Sequence, residues 1–295
     1  MEENPSVETV MKAREIGIKR GVEYVIGIGG GSPMDAAKAI AVMIKNHELG
    51  REALFFAGVE LPYLPVIEIP TTAGTGSEVT PWSVLTIHEK RTKSSISQRV
   101  YPAVALIDSQ YLRCVPRYTL VATAIDTLAH LVESQLVTAS TEYSRIFSER
   151  GLCIWGGLKD KLLEDKLTEP DYDDLMNACT LGGMAITHTS TGIPHALSYR
   201  FTYDCNIAHG IACGLTLGGF VKHYRDKEKT AKVLSMLGFE TAKDFCDYLK
   251  KLIGPIELPE GLWKSNADAL MANEKKLATY PYELSREELS DYCLY

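Results

Sequence analysis

The sequence predicts an α/β domain followed by an all-helical domain. Up to about residue 117, strand-like segments alternate with helical segments, and glycine-rich turns follow the strand-like ones. Beyond that point the strand signals largely vanish and long stretches read as helices. Alternating strands and helices are typical of a mostly parallel sheet with helices packed on it. We therefore expect an N-terminal parallel-sheet domain over residues 1–117 and a helical domain over residues 118–295.

Each element follows from a local pattern. The segment SVETVMKAREIGIKRG carries apolar residues at helical spacing and ends at Gly21, which predicts a helix. VEYVIGIGGGS reads as a buried strand that breaks into glycines, and PMDAAKAIAVMI as an alanine-rich helix opened by Pro33. LPVIEIP and AVALIDS (residues 103–109) predict two further strands. Later helices are predicted over residues 119–137, 143–162 and 172–185.

The composition excludes several classes of protein. A chain of 295 residues with 45% hydrophobic and 23% charged residues is typical of a soluble globular protein. A net charge of −7 leaves no basic surface for nucleic acid, and no apolar run approaches the ~18 residues of a membrane span. The seven cysteines are scattered without a C-x-x-C pair, and none has a persuasive electropositive setting. With an acidic, polar N-terminus, this pattern predicts reduced thiols in a cytoplasmic protein.

Two loops rich in glycine and hydroxyl groups follow neighbouring strands. The first, GIGGGSPMDAAK, places Gly30, Gly31 and Ser32 between a strand and a helix, where backbone N–H groups can approach a phosphate closely. The second, PTTAGTGSEVT, adds threonine and serine hydroxyls after the next strand. Alone, each loop could be an ordinary turn. Because α/β sheets bind ligands at the carboxyl ends of their strands, the two together favour a nucleotide-like ligand.

A candidate metal site combines two distant segments. Asp126 and His130 lie four residues apart on one face of an otherwise apolar helix. An acid and an imidazole in a core are unfavourable unless they are paired or bind metal, and for this pair alone a buried hydrogen bond is the simpler interpretation. His195 and His209 extend the set to one carboxylate and three imidazoles. Such ligands suit Fe(II), Zn(II), Co(II), Ni(II) or Mn(II).

The remaining histidines have weaker claims to a function. His47, His88 and His223 stand among charged or polar residues, so we expect them at the solvated surface. His188 precedes His195 by seven residues and is expected to be structural.

Four motifs of this chain resemble, in the same order, those of the iron-containing (group III) alcohol dehydrogenase family. They are GGGSPMDAAK, PTTAGTGSEVT, D-x-x-x-H within AIDTLAHLVES, and PHALSY with AHG, and the resemblance covers nearly the whole chain. The resemblance implies a dehydroquinate-synthase-like fold, with a dinucleotide-binding domain, a helical metal-binding and substrate domain, and a divalent metal between them. It implies that catalysis runs through a metal held by Asp126, His130, His195 and His209. The implied contacts to NAD or NADP come from Gly30, Gly31, Ser32, Thr71, Thr72, Thr80 and Lys93.

The resemblance implies a metal-dependent alcohol dehydrogenase or aldehyde reductase. Hydride would pass between NAD(P)(H) and a small alcohol or aldehyde polarised by an Fe²⁺-type metal, with Zn²⁺ also compatible with the ligands. A glycerol-dehydrogenase-like zinc enzyme is an alternative, although such relatives more often use fewer histidines. A second alternative is a catalytically impaired, truncated paralogue with a structural role, against which the retained ligands and loops argue.

The chain departs from the family pattern in three places. Tyr199 stands where many members carry a histidine four residues after the third ligand, and Ala208 replaces the proline before His209. The first strand–helix–strand portion of the family's nucleotide domain is expected to be absent. We therefore expect little preference between NADH and NADPH, and either a homodimer that covers an exposed strand edge or poor solubility.

Overall fold

The N-terminal part contains all the β-strands found in this computed structural model, which describes residues 2–90 and 92–294. In chain order its elements are helix α1 (Val7–Arg20), strand β1 (Val25–Gly29), helix α2 (Gly31–Lys45), and strands β2 (Val66–Pro70), β3 (Val84–Ile87), β4 (Thr92–Ser95) and β5 (Val104–Ala105). Strands β1, β2 and β5 form a parallel sheet with β2 in the middle. The predicted parallel sheet with helices packed on it is confirmed.

Two details of this part differ from the sequence prediction. The third predicted strand pairs only over Val104–Ala105, because the chain leaves β2 there and turns at Asp108 into a short 3-10 helix. Strands β3 and β4 form an antiparallel hairpin that the sequence patterns did not indicate. In addition, α2 begins at Gly31 rather than at Pro33, which lies within its first turn.

The parallel sheet is covered by helices on one face only. Gly27 faces α2 so closely that a Cβ there would lie 3.0 Å from the Cβ of Ala37. On the opposite face Ile26, Ile28 and Leu106 are 46%, 55% and 51% exposed. Strand β1 is also an edge strand, so the sheet presents both an apolar face and an unpaired edge.

The C-terminal part is helical throughout its described length. Its helices are α3 (Arg117–Leu136), α4 (Glu142–Glu164), α5 (Glu169–Thr189), α6 (Ile193–Cys205), α7 (His209–His223), α8 (Lys227–Leu237), α9 (Ala242–Ile253), α10 (Leu262–Met271), α11 (Glu274–Leu277) and α12 (Arg286–Ser290). Helices α3, α4 and α5 correspond to the helices predicted over residues 119–137, 143–162 and 172–185. Helix α3 is central: it packs against α4, α5 and α7, and its residues are buried from Ala124 to its end. The division of the chain at residue 117 stays a prediction.

Glycine allows α7 to approach α3 closely. A Cβ built on Gly210 would lie 1.8 Å from the carbonyl oxygen of Ala122, far inside van der Waals contact. Only a residue without a side chain therefore fits where α7 starts against α3. This contact brings His209, the first residue of α7, alongside the middle of α3.

Among the described residues, no helix combines the length and the apolar character that crossing a membrane requires.

Candidate metal centre and adjoining loops

Three of the four predicted ligands, all histidines, lie around a carboxylate oxygen of the fourth, Asp126. Asp126 and His130 lie on α3, His195 in the first turn of α6, and His209 at the start of α7. The Nε2 atoms of His195, His209 and His130 are 3.3, 3.7 and 3.8 Å from Asp126 Oδ1. Asp126, His130 and His195 are buried, whereas His209 is partly exposed. The tertiary structure thus brings together residues separated by up to 83 positions in the sequence (209 − 126).

Each imidazole is oriented through its other ring nitrogen. His195 Nδ1–H donates to Glu133 Oε1 at 2.6 Å, and His130 Nδ1–H donates to the carbonyl oxygen of Gly74 at 3.2 Å. Ser198 Oγ donates to a backbone carbonyl, so it accepts from His209 Nδ1–H at 3.2 Å. With its Nδ1 atom protonated, each of the three histidines has an Nε2 lone pair available near Asp126 Oδ1. Metal-binding histidines are commonly held in this way.

Two buried atoms of the centre have no hydrogen-bond partner. They are Asp126 Oδ1 and His195 Nε2, which face each other. Buried polar atoms without partners are rare and unfavourable, and two electron-pair donors in this position would both be satisfied by a cation. One carboxylate and several imidazole nitrogens also form a donor set that binds divalent transition metals. The residues present therefore fit a divalent metal ion.

Asp126 and His130 have the protonation states that metal binding needs, whereas the pKa values of His195 and His209 are raised. Burial lowers both of these pKa values, but Cys213 and the nearby carboxylates outweigh it. Burial raises the pKa of Asp126, but His130, His209 and His195 outweigh it, so the pKa lies well below its usual range. Burial lowers the pKa of His130 to about 4, although the carboxylate of Asp126 opposes this shift. Near neutral pH the aspartate is therefore ionised and His130 is neutral.

Glu133 was not identified from the sequence. Its side chain is fully buried, and its two oxygens accept hydrogen bonds from His195 Nδ1 and from the backbone N–H of Gly192. It thereby joins α3 to the start of α6 and sets the orientation of the His195 ring. In the sequence, Glu133 could have been found from its position seven residues after Asp126, on the same helical face as the predicted ligands.

The expectation that no cysteine lies in an electropositive setting is wrong. Cys213, one turn after His209 on α7, has its Sγ 3.9 Å from His209 Nε2. Burial raises the pKa of this thiol, but the imidazoles of His195 and His209 outweigh it and lower the pKa overall. Donor atoms of Asp126, His195, His209 and Cys213 all lie within 4.8 Å of one another. In the sequence, Cys213 could have been found from its position four residues after His209, on the same face of a helix.

The two predicted cofactor loops contact each other at the carboxyl ends of β1 and β2. A Cβ on Gly30 would lie 3.1 Å from Thr72 Oγ1, and one on Gly31 would lie 2.8 Å from Thr75 Cγ2. The backbone N–H of Thr71 donates to the carbonyl oxygen of Gly29 at 2.9 Å. Because Gly30 caps the N-terminus of α2, free backbone N–H groups of the helix point into this loop pair.

Three other predicted cofactor residues lie in different surroundings. Ser32 Oγ accepts a hydrogen bond from the backbone N–H of Asn4 at 3.0 Å, and Lys93 Nζ donates to Asn4 Oδ1 at 2.8 Å. Burial lowers the pKa of Lys93. Thr80 is only 3% exposed and its hydroxyl lies 3.5 Å from the carbonyl oxygen of Ser77, so little of its side chain is accessible to a ligand.

A cleft of about 470 Å³ lies between the N-terminal part and the end of α6 with the segment that leads into α7. Asn4, His88 and Lys93 line one side, and Tyr203 and Ala208 belong to the other. Since Ala208 immediately precedes His209, the cleft lies next to the exposed edge of the centre.

The remaining histidines lie away from the centre. His47 is exposed and pairs with Glu48, as expected of a surface residue, and His188 stacks on Phe147. His88 is exposed, as expected, whereas His223 is half-buried, which differs from the solvated position expected for it. His223 packs against Tyr292 on the far part of α7.

Comparisons with known proteins agree with this architecture. Residues 1–109 match the model of the iron-containing alcohol dehydrogenase family, and residues 120–281 match the model of that family's C-terminal domain. The crystal structure of an iron-containing alcohol dehydrogenase from Thermotoga maritima is 33% identical with a TM-score of 0.85, and the match covers 98% of this chain and 79% of that one. The structure of sulfoacetaldehyde reductase from Bifidobacterium kashiwanohense in complex with NAD⁺ is 28% identical with a TM-score of 0.85, covering 98% and 80%.

A curated relative leads to the same family. Sulfoacetaldehyde reductase of Bilophila wadsworthia is 27% identical to this chain, and the match covers 97% of the chain and 79% of that protein. The two family models together cover most of the sequence, and the predicted dinucleotide-binding and helical architecture is that of the solved relatives. The chain therefore belongs to the iron-containing alcohol dehydrogenase family.

Proposed function

We propose that this chain catalyses the metal-dependent interconversion of a small alcohol and its aldehyde with NAD or NADP. Membership of the family makes it an oxidoreductase. The observation that carries the proposal is the convergence of three imidazole Nε2 atoms within 3.8 Å of Asp126 Oδ1, beside a cleft of substrate size. The relatives named as aldehyde reductases, one of them solved with NAD⁺, support the reaction class.

In this proposal Asp126, His130, His195 and His209 hold the ion, with Fe²⁺ as the expected metal and Zn²⁺ as the other candidate. When bound, the metal supplies Lewis-acid polarisation of the substrate oxygen, and the nicotinamide carries the hydride. The protein positions the ligands. Glu133 orients the ring of His195, and the hydrogen bond from His130 to the carbonyl oxygen of Gly74 connects His130 to the loop PTTAGTGSEVT. His209 is the ligand that borders the cleft.

The glycine and threonine loops are proposed to hold the cofactor. Gly30 and Gly31 let the pyrophosphate approach the N-terminus of α2, while Thr71, Thr72 and Ser32 offer hydroxyl donors. The ammonium group of Lys93 faces the cleft and can pair with the cofactor. The side chain of Thr80 is buried, so its proposed role is to support the conformation of the loop that contacts the cofactor.

Tyr199 contacts His209, the partly exposed ligand of the proposed set. Its ring stacks on His209 with centroids 5.9 Å apart and planes 12° apart. It can shield this ligand from water and offers a hydroxyl where many family members offer an imidazole.

We further propose that the protein is a homodimer in the cytoplasm. The exposed edge strand and apolar sheet face support self-association. None of the seven cysteines forms a disulfide in the described part of the chain, as is typical of proteins in a reducing compartment.

The test compares turnover and metal content of anaerobically purified protein and its variants. We expect aldehyde reduction with NADH or NADPH, and one tightly bound divalent ion per chain. In His195→Ala, metal content and turnover should fall together, since a buried ligand is removed. The matched control His223→Ala, on the far part of α7, should retain both.

Two outcomes would contradict the proposal. Equal metal content in the parent and in His195→Ala would remove the metal assignment. Bound metal without any aldehyde reduction or alcohol oxidation, over a panel of short substrates, would instead favour the catalytically impaired alternative.

A further inference from the structure

The thiol of Cys213 has no role in the donor set proposed above. Its position on α7 is one helical turn after His209, so both side chains project from the same face of the helix. Cys213 is fully buried, and its Sγ lies 3.9 Å from His209 Nε2. Its sulfur thus belongs to the same group of atoms as the oxygen of Asp126 and the nitrogen of His195.

We propose that Cys213 is a thiolate ligand of the metal, so that the centre binds its ion through sulfur as well as through nitrogen and oxygen. This inference rests on the proposed function in one respect only, namely that the centre binds a metal.

The distances between donor atoms support a shared ion. Four ligands at about 2.0–2.3 Å from one tetrahedral ion lie roughly 3.3–3.8 Å from each other. The observed separations are 3.3 Å for Asp126 Oδ1 to His195 Nε2, 3.7 Å for Asp126 Oδ1 to His209 Nε2, and 3.9 Å for Cys213 Sγ to His209 Nε2. All donor atoms of this group lie within 4.8 Å of one another, so small side-chain movements would bring the sulfur onto the same ion as the oxygen and the two nitrogens.

The ring orientations favour the same donors. The rings of His195 and His209 are inclined by 65°, so their in-plane lone pairs can converge on one point. The rings of His130 and His195 are stacked, with centroids 4.6 Å apart and planes inclined by 17°. Nearly parallel lone pairs converge poorly, so His130 must rotate before it can share an ion with His195.

The unsatisfied atoms identify where the ion would lie. Asp126 Oδ1 and His195 Nε2 are buried and without hydrogen-bond partners, and both belong to the group that contains the sulfur. A thiolate ligand also changes the metal preference, because soft sulfur favours Zn(II) over Fe(II) more than carboxylate or water does. The inference therefore predicts that Cys213 raises the affinity for zinc more than the affinity for iron.

Cobalt provides a readout that is independent of turnover. The metal-free full-length protein is loaded with Co(II) under anaerobic conditions and its absorption spectrum is recorded. We expect visible d–d bands from a protein-bound ion and, in addition, an intense near-ultraviolet band from thiolate-to-cobalt charge transfer. Cys213→Ser should lose the near-ultraviolet band and keep the visible bands. The control Cys246→Ser, a cysteine on α9 that packs against Gly218, should keep both.

A chelator competition extends the test to zinc and iron. In Cys213→Ser the affinity for Zn²⁺ should fall at least tenfold, and by more than the affinity for Fe²⁺. The wild-type spectrum decides the question even if the serine variant does not fold. Bound cobalt without a charge-transfer band would overturn the thiolate ligand and leave the metal centre standing. Failure of the wild-type protein to bind cobalt, zinc or iron would overturn both the ligand and the proposed function.

Discussion

At the scale of single residues, the side chain that most directly supports the centre is Glu133. It accepts a hydrogen bond from His195 Nδ1–H and another from Gly192 N–H in a site closed to solvent. Removal of such a supporting carboxylate typically weakens metal binding about 10–100-fold. We therefore expect that loss in Glu133→Ala and a smaller loss in Glu133→Gln, which keeps an acceptor oxygen but not the charge.

Chelator competition with Zn²⁺ or Fe²⁺ measures the effect of Glu133 on affinity. Glu149→Gln is a suitable control, since Glu149 pairs with Lys232 at the surface of α4. If both Glu133 variants bound metal as tightly as the parent protein, the role assigned to this carboxylate would be wrong.

At the scale of secondary-structure elements, a buried pair of ionisable side chains joins strand β2 to helix α2. Glu68 and Lys38 are both fully buried, with Glu68 Oε2 3.7 Å from Lys38 Nζ, and neither oxygen of Glu68 has a hydrogen bond. Burial raises the pKa of Glu68 from 4.5 to about 8, although Lys38 opposes the shift. The folded protein therefore retains a proton on Glu68 at pH values where the unfolded chain releases it.

This difference in pKa predicts the sign of a pH dependence. Between about pH 4.5 and pH 8 the folded state binds more protons at this site, so the contribution of Glu68 to stability decreases as the pH rises. Glu68→Gln lacks this titration. The free energy of unfolding of this variant, relative to that of the parent, should increase by on the order of 1 kcal/mol per pH unit between about pH 4.5 and pH 8. Above this range the difference should level off.

Urea unfolding of the parent and the Gln variant at several pH values measures this difference. The exposed control Glu60→Gln should show no comparable trend. A stability difference for Glu68→Gln that stays constant with pH would show that Glu68 is ionised in the folded protein.

At the scale of the whole molecule, the exposed side of the parallel sheet predicts self-association. Ile26, Ile28 and Leu106 form an apolar face beside the unpaired edge of β1. Because such surfaces associate in water, we expect a dimer in sedimentation velocity, and a shift to monomer in Ile28→Glu. Tyr143→Glu, on the exposed surface of α4, is the control that should leave the dimer intact. A monomeric parent protein at micromolar concentration would contradict the proposed dimer.

Local patterns in the sequence predicted the first parallel strands, the helices α1 to α5 and a set of candidate ligands. The glycines after β1 and the threonines after β2 predict loops at one edge of a sheet, because these features depend on neighbouring residues only. The spacing of Asp126 and His130 places both on one helical face for the same reason. The hairpin β3–β4 was missed because its pairing carries no strong local signal.

The tertiary structure alone decided which donor atoms meet and how each is held. Gly210 permits α7 to approach α3, and this contact brings both His209 and Cys213 to Asp126. Glu133 gains its role only when the start of α6 lies against α3, so that it can bond to His195. Such contacts join residues far apart in the chain, and their energies depend on packing and burial that no short segment contains. The sequence by itself therefore determined the family and the candidate residues, whereas the packing of α3, α6 and α7 determined which donor atoms, that of Cys213 among them, lie close together.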